Sequence, residues 1–335
     1  MKKNFTLQSE VLLSERHREI RLMKTTLAFT LAAILSVGAT PALAQHADGH
    51  QAHASAEHGH QHADFQSDRF HVRVDGPETP IGDIILIPGL SSSPEVWDGL
   101  TEALKGRYRI HRVHVQGFAG APAEANATGP VAAPVAEDLA RYIAEQGLNK
   151  PVVIGHSMGG TMAMMLAARH PDSVGKLMVV DMIPFMGAMF GAPGATADSV
   201  APTADMIYAA QANSPRDQYL AQATAAVTGM INTEAARAGP LRDTETSDQQ
   251  VSASAFRELI VTDLRPELNR ITAPTEVLYV KFNDARMTDQ ITDAIYAASF
   301  ANLPGVTLKR IDDSAHFIML DQPEQFLSEV NAFLQ

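Results

Sequence analysis

The stretch Pro151-Val152-Val153-Ile154-Gly155-His156-Ser157-Met158-Gly159-Gly160 decides the fold. Pro151–Ile154 reads as a short buried strand, and Met158–Arg169 reads as a helix that stops near Pro171. Between them lies G-x-S-x-G at positions 155–159. The pattern by itself is weak, since roughly 0.1 chance matches are expected in a chain of this size at ordinary Gly and Ser usage. Its context makes it specific, because a strand running straight into a serine and then into a helix is a sharp turn that displays the serine at its apex. Side chains at 155 and 159 would collide with neighbouring backbone in so tight a turn, which accounts for Gly at both. The serine is expected in a strained conformation that lifts its Oγ clear of the sheet. The helix N-terminus beside it favours negative charge developing there.

Outward from this turn, short apolar strands alternate with amphipathic helices. Strands are expected at 70–74, 83–87, 108–115, 176–180, 275–280 and 306–311. Helices are expected at 94–104 (with Ser93 as N-cap), 135–146, 288–300 and 323–334. The alternation predicts an α/β fold with a mostly parallel sheet covered by helices on both faces. Residues 184–266 break the rhythm. They begin loop-like and then read as several helices, and they are too long for one loop in a compact domain, so they are expected to be an inserted helical cap. The core is then 69–183 together with 267–335.

These residues resemble the α/β-hydrolase superfamily, in the capped branch of small-ester hydrolases and lactonases, and the resemblance covers about residues 70–335. Gly155–Gly160, read GHSMGG, is a common form of that superfamily's nucleophile elbow. The resemblance implies a serine hydrolase that cleaves carboxylic esters or lactones through an acyl-serine, with no cofactor and no catalytic metal. It implies Ser157 as nucleophile and His316, just after the last strand, as base. His170 is the one other histidine after Ser157 and reads as a cap at the end of the elbow helix. The acid is expected at Asp284, after the strand ending at Val280, with Asp181, after the strand 176–180, as the alternative. Asp312, Asp313 and Asp321 stand too close along the chain to His316 and read as caps or solvated charges. The oxyanion donors are expected to be the N–H groups of Met158 and Leu90. Gly89, His156 and Phe317 are expected to line the substrate site. Trp97 is expected in the core. The methionines of the elbow helix are also expected in the core, while those near or in the cap are candidates for an adaptable apolar pocket. Pro88-Gly89 replaces the His-Gly common in relatives, and Gln116–Gly120 lacks the charged residue they often carry near this turn.

Position 157 is Ser, so the carboxylate-nucleophile dehalogenases and epoxide hydrolases of the superfamily are disfavoured. Two other readings remain beside ester hydrolysis. One is an acyltransferase or perhydrolase using the same triad. The other is a non-catalytic ligand- or metal-binding protein.

Composition limits the partners. The chain has 335 residues, no cysteine and a formal charge of −12. Disulfides, thiolate metal sites and Cys nucleophiles are therefore excluded. An acidic surface repels phosphate backbones and anionic lipid, so nucleic acid is an unfavourable partner and a neutral small ester a suitable one.

The N-terminus reads as an address. Uncharged residues 25–44 follow Lys24, contain the apolar run Leu27–Val37, and end in Pro41-Ala42-Leu43-Ala44. This is the order of a secretory signal cleaved after Ala44, and the apolar run is short for a membrane span. The protein is thus expected to be exported, to the periplasm or the medium, without a stable membrane anchor. Residues 1–22 read as an over-extended leader. Residues 45–68 read as a linker with His46, His50, His53, His58, His60 and His62, a composition suited to weak Zn, Cu or Ni binding.

Overall fold

The computed structural model describes residues 65–192, 194–281 and 287–335. The signal segment and the histidine tract lie outside the described residues, as does Asp284. The last residues assigned from sequence to the linker are part of the folded body. Phe65 stacks on Phe70 at 5.6 Å, and Ser67 donates to Asp138.

Seven strands form one sheet: β1 (Phe70–Asp75), β2 (Asp83–Ile87), β3 (Arg109–Val115), β4 (Val152–His156), β5 (Lys176–Val180), β6 (Thr275–Tyr279) and β7 (Thr307–Arg310). Their order is β1-β3-β2-β4-β5-β6-β7, antiparallel between β1 and β3 and parallel elsewhere. The period-2 alternation of the strands divides their side chains between two apolar layers. Ile85, Ile87, Val113, Val153, Val179 and Val277 point to one face. Ile84, Leu86, Ile110, Ile154, Met178, Val180 and Leu278 point to the other. Helices α1 (Asp98–Leu104), α2 (Ala132–Glu145) and α3 (Met158–Arg169) follow β2, β3 and β4 in turn. Helices α2 and α3 cover the first face, whereas α1 covers the second with Leu100 and Leu104. Each fully buried Ile, Leu or Val on these faces contributes about 1.5–3 kcal/mol, most of it offset by conformational entropy. This is the architecture that the resemblance implies.

Four helices are inserted between β5 and β6: α4 (Ala197–Ala212), α5 (Arg216–Gly229), α6 (Ala238–Thr246) and α7 (Gln249–Val261). Local chemistry starts two of them. Thr196 and Ser199 form a reciprocal capping box at α4, and Asp248 accepts from Val251 N–H at α7. The chain then closes with α8 (Asp289–Ser299), α9 (Ile318–Asp321) and α10 (Pro323–Leu334). Helix α8 adds Tyr296 to the first face, and α10 adds Phe326 and Val330 to the second.

The insert is fastened to the core by polar contacts around the C-terminal end of the sheet. Glu258 on α7 accepts from the N–H groups of Val131, Ala132 and Ala133 at 2.6, 2.7 and 2.9 Å, capping α2 from outside its own chain segment. Ser252 shares a 2.8 Å hydrogen bond with Ser91. Asp243 accepts from both the N–H and the Oγ of Ser93. Ser93 was expected to cap the helix after it. It occupies the N-cap position with extended backbone, but its side chain accepts no hydrogen bond from the helix; its N–H and Oγ–H instead donate to a carboxylate of the insert.

Candidate active site

The turn at Ser157 has the strain expected of it. Ser157 lies at φ 53° and ψ −122°, between the last residue of β4 and the first of α3. Its N–H is tied to Val180 O at 2.9 Å, so the neighbouring strand helps hold the strained residue in place. A Cβ on Gly155 would collide with the carbonyl of Gly159, and one on Gly159 with the carbonyls of Ile87 and Pro88. Both glycines are thus dictated by backbone rather than by side-chain neighbours.

The loop after β2 lies against the serine. A Cβ on Gly89 would sit 3.1 Å from Ser157 Cβ. Leu90 follows in this loop, and Met158, fully buried, follows the serine. Neither the Leu90 nor the Met158 N–H has an acceptor among the described residues. Next in the loop, Ser91 has φ 53°, a left-handed conformation uncommon for a residue with a Cβ, and its side chain is the one held by Ser252 of the insert.

His316 arrives on the loop between β7 and α9. Its Nδ1–H donates to Asp181 Oδ2 at 2.6 Å. The imidazole is 22% exposed and the carboxylate 7%. His316 Nε2 has no hydrogen-bond partner among the described residues, which leaves that nitrogen able to accept a proton. The Asp181 carboxylate is held on its other oxygen as well. Oδ1 accepts from Val280 N–H at 3.1 Å and from the Tyr296 hydroxyl at 2.8 Å. The acid expected at Asp284 lies outside the described residues, whereas the alternative, Asp181, is the residue paired with His316.

Two residues expected to line the substrate site lie behind it instead. The His156 ring is fully buried, edge-on to Trp97, 4.6 Å from the His316 ring and 4.7 Å from Phe317. Its Nε2–H donates to the backbone carbonyl of His316 at 3.0 Å. Burial, and then the neighbouring His316, hold the His156 pKa well below its ordinary value, so the ring is neutral. His156 therefore supports the His316 loop from within. The β4 pleat turns alternate side chains into the sheet's second face, and His156 follows Ile154 there. Phe317, 5% exposed, packs in the same layer.

Asp321 also has more than the solvated or capping role read from sequence. Its carboxylate accepts from Ala315 N–H in the His316 loop and from Asn232 and Thr233 N–H in the insert. Trp97 is fully buried and stacked on Phe326, as expected of a core residue. The elbow methionines Met158, Met162, Met164 and Met165 are buried too. Met206 in the insert is 66% exposed, so it does not line an enclosed pocket. His170 pairs with Glu137 at the surface.

Sequence reasoning missed Tyr296. It occupies an apolar-face position of α8, and no motif distinguishes a tyrosine whose hydroxyl meets a carboxylate from one that only fills space. The described residues contain no group of three or more His, Cys, Asp or Glu placed to hold a metal ion. No helix among them is long and apolar enough to cross a membrane.

Comparison with known proteins places the chain among hydrolases. A family model described as "Alpha/beta hydrolase family" matches residues 84–329. The pimeloyl-(acyl-carrier protein) methyl ester esterase of Vibrio cholerae is 24% identical over 252 residues, covering 75% of this chain and 93% of that protein. Among solved structures, an enol-lactonase from Burkholderia xenovorans superposes with a TM-score of 0.62 at 20% identity, covering 79% of this chain and 96% of the other. An esterase from Exiguobacterium antarcticum superposes with a TM-score of 0.64 at 17% identity, covering 79% and 95%. Likeness to these two structures establishes the shared fold.

Proposed function

Since this chain belongs to the alpha/beta hydrolase family, we propose that it is an exported serine esterase that cleaves small carboxylic esters or lactones, with Ser157, His316 and Asp181 as its triad. The observation that carries the reading is the 2.6 Å hydrogen bond from His316 Nδ1 to Asp181, which leaves Nε2 of the same ring free. It stands beside a serine held in a strained turn at the N-terminus of α3.

The chemistry follows from these groups. His316 Nε2 takes the Ser157 hydroxyl proton as Oγ attacks the ester carbonyl, and Asp181 holds the ring in the tautomer that allows it. The negative oxygen that forms is met by the Leu90 and Met158 N–H groups, which have no acceptor of their own among the described residues. Imidazolium gives the proton to the departing alkoxide, leaving an acyl-serine. Water, deprotonated by the same histidine, then releases the acid and restores the serine. A methyl ester of a carboxylic acid is a suitable first substrate, because the Vibrio cholerae relative is named for that bond. Export is supported by the signal pattern in residues 23–44.

Fluorophosphonate labelling read by intact mass tests the assignment without a guess at substrate. One adduct is expected on the wild type and none on Ser157→Ala, and the same spectrum should place the N-terminus of the exported protein at Gln45. On a panel of methyl esters and lactones, Ser157→Ala should lose about 10⁴-fold or more in kcat. Wild-type turnover by that variant would remove Ser157 as the nucleophile.

A further inference from the structure

The acid of the pair is itself held, and the group that holds it belongs to no expected motif. Asp181 directly follows β5 at φ 49°, a left-handed conformation that a residue with a Cβ adopts only when its surroundings fix it. Its N–H is bound to Leu278 O at 2.8 Å, which fixes the main chain. The side chain still has freedom to rotate, and rotation would carry Oδ2 away from His316. Two donors on Oδ1 oppose this: the Val280 N–H, and the Tyr296 hydroxyl at the shorter distance of 2.8 Å. A carboxylate can only accept, so the tyrosine donates.

Tyr296 is well suited to act as a fixed donor. Its ring stacks on Tyr279 at 4.0 Å and on Phe300 at 6.5 Å, and the residue is 2% exposed. Burial, and then the adjacent Asp181 charge, push its pKa well above the ordinary tyrosine value, so the proton stays in place through the working pH range. The partners of the pair among the described residues are these. Asp181 meets Tyr296 and His316, and His316 meets Asp181 and the neutral His156 ring. Tyr279 sends its own hydroxyl elsewhere, to Asp293, which pairs with Arg310.

We propose that Tyr296 is a positioning residue for the reaction, acting through Asp181 to keep the His316 imidazole oriented for proton transfer. This rests on the reading of His316 as the base. Removing the hydroxyl strips one donor from a buried carboxylate. The remaining charge on Asp181 is then less dispersed and stabilises the imidazolium more strongly, so the pH at which activity falls on the acid side moves up.

Tyr296→Phe keeps the ring and both stacks and removes one oxygen. The expected result is a fall in kcat on the order of tenfold with KM nearly unchanged. The acid limb of the pH–rate profile should shift to higher pH, and the downfield proton resonance of the His316 Nδ1–H should change position. Tyr279→Phe is the matched control, since it removes a hydroxyl from the same stack at a bond that does not touch Asp181, and it should leave kcat and the pH profile unchanged. Wild-type kcat, pH profile and Nδ1–H resonance in Tyr296→Phe would overturn the proposal. So would equal losses in the two variants, which would mean the stack matters only for packing. Failure of the underlying reading is visible separately, because then the wild-type protein would itself take no fluorophosphonate adduct on Ser157.

Discussion

The sheet carries a His, Asp and Tyr cluster at each of its two ends, and only one of them has a nitrogen to spare. At the N-terminal end, His111 sits in the middle. Its Nε2–H donates to Asp83 at 3.0 Å and its Nδ1 accepts from the Tyr142 hydroxyl at 2.6 Å, with Arg109 also on Asp83 at 2.6 Å. Both ring nitrogens are used and the residue is 2% exposed. At the C-terminal end the carboxylate sits in the middle. Asp181 takes Tyr296 on one oxygen and His316 on the other, so the imidazole lies at the end of the chain of bonds, 22% exposed, with Nε2 unoccupied. The same three residue types thus use both ring nitrogens in one order and leave one free in the other, the order that the proposed proton transfer requires. Residue type alone does not make a site; the order of bonding and the free valence do.

The strongest way to break this comparison is at the central carboxylate. Asp181→Asn keeps the shape but can present an N–H to His316 and favour the wrong tautomer. It should lower kcat about 10³–10⁴-fold while thermal unfolding shifts little. Ester turnover measured beside Asp284→Asn decides between the two aspartates, with the Asp284 variant expected within about tenfold of wild type. The larger loss in Asp284→Asn would transfer the acid role to that residue.

The next effect falls on stability. His111→Leu removes the centre of the other cluster, leaving the buried Tyr142 hydroxyl and one side of Asp83 without their partner. Denaturant unfolding should show a loss of about 2–4 kcal/mol. Turnover of the folded fraction should remain within about twofold of wild type, because His111 is at the far end of the strands from Ser157. A large fall in kcat with unchanged stability would show that the two ends are coupled and that the comparison is misdrawn.

How legible each cluster is in the sequence depends on the range of its contacts. The turn at Ser157 is set by residues within five positions, so G-x-S-x-G after an apolar strand identified it. His316 stands out in the sequence because His170 is the one other histidine after the serine. The acid was expected at Asp284 with Asp181 as the alternative, because each follows an apolar strand and nothing along the chain separates them further. What distinguishes Asp181 is lateral: β5 pairs with β6, Val180 lies opposite Leu278, and the carboxylate reaches the Val280 N–H just beyond. That is a property of strand order, invisible along the chain. His156 was misplaced for a related reason. It is next to the nucleophile in sequence, but successive residues of a strand point to opposite faces. The contacts of Ser91, Ser93 and Asp321 with the insert join residues 88 to 161 positions apart, and no local pattern encodes them.

The smallest expected effect sharpens the contrast through pH. His156, in the layer behind the site, has a folded pKa well below its ordinary 6.5 because burial excludes its charged form. The unfolded chain therefore binds a proton that the folded protein refuses. The associated stability is present above about pH 6.5 and is lost as pH falls below it. At the other end, burial alone would raise the Asp83 carboxyl, but hydrogen bonds from His111 and Arg109 outweigh it and hold the pKa below its ordinary 3.8. Its stabilisation is present above 3.8 and is lost as pH falls through the lower folded value. Both ends lose stability toward acid, in separate windows. Urea unfolding from pH 7.5 down to pH 3 should show a gentle decline setting in near pH 6.5 and steepening below pH 4. In His156→Gln the first decline should flatten and the second remain; in Asp83→Asn the reverse should hold. If His156→Gln instead left the upper window untouched, the buried ring would have to carry its proton in the folded state. The donor to the His316 carbonyl would then be an imidazolium placed directly against the proposed base, and the two ends would differ by charge as well as by the order of their bonds.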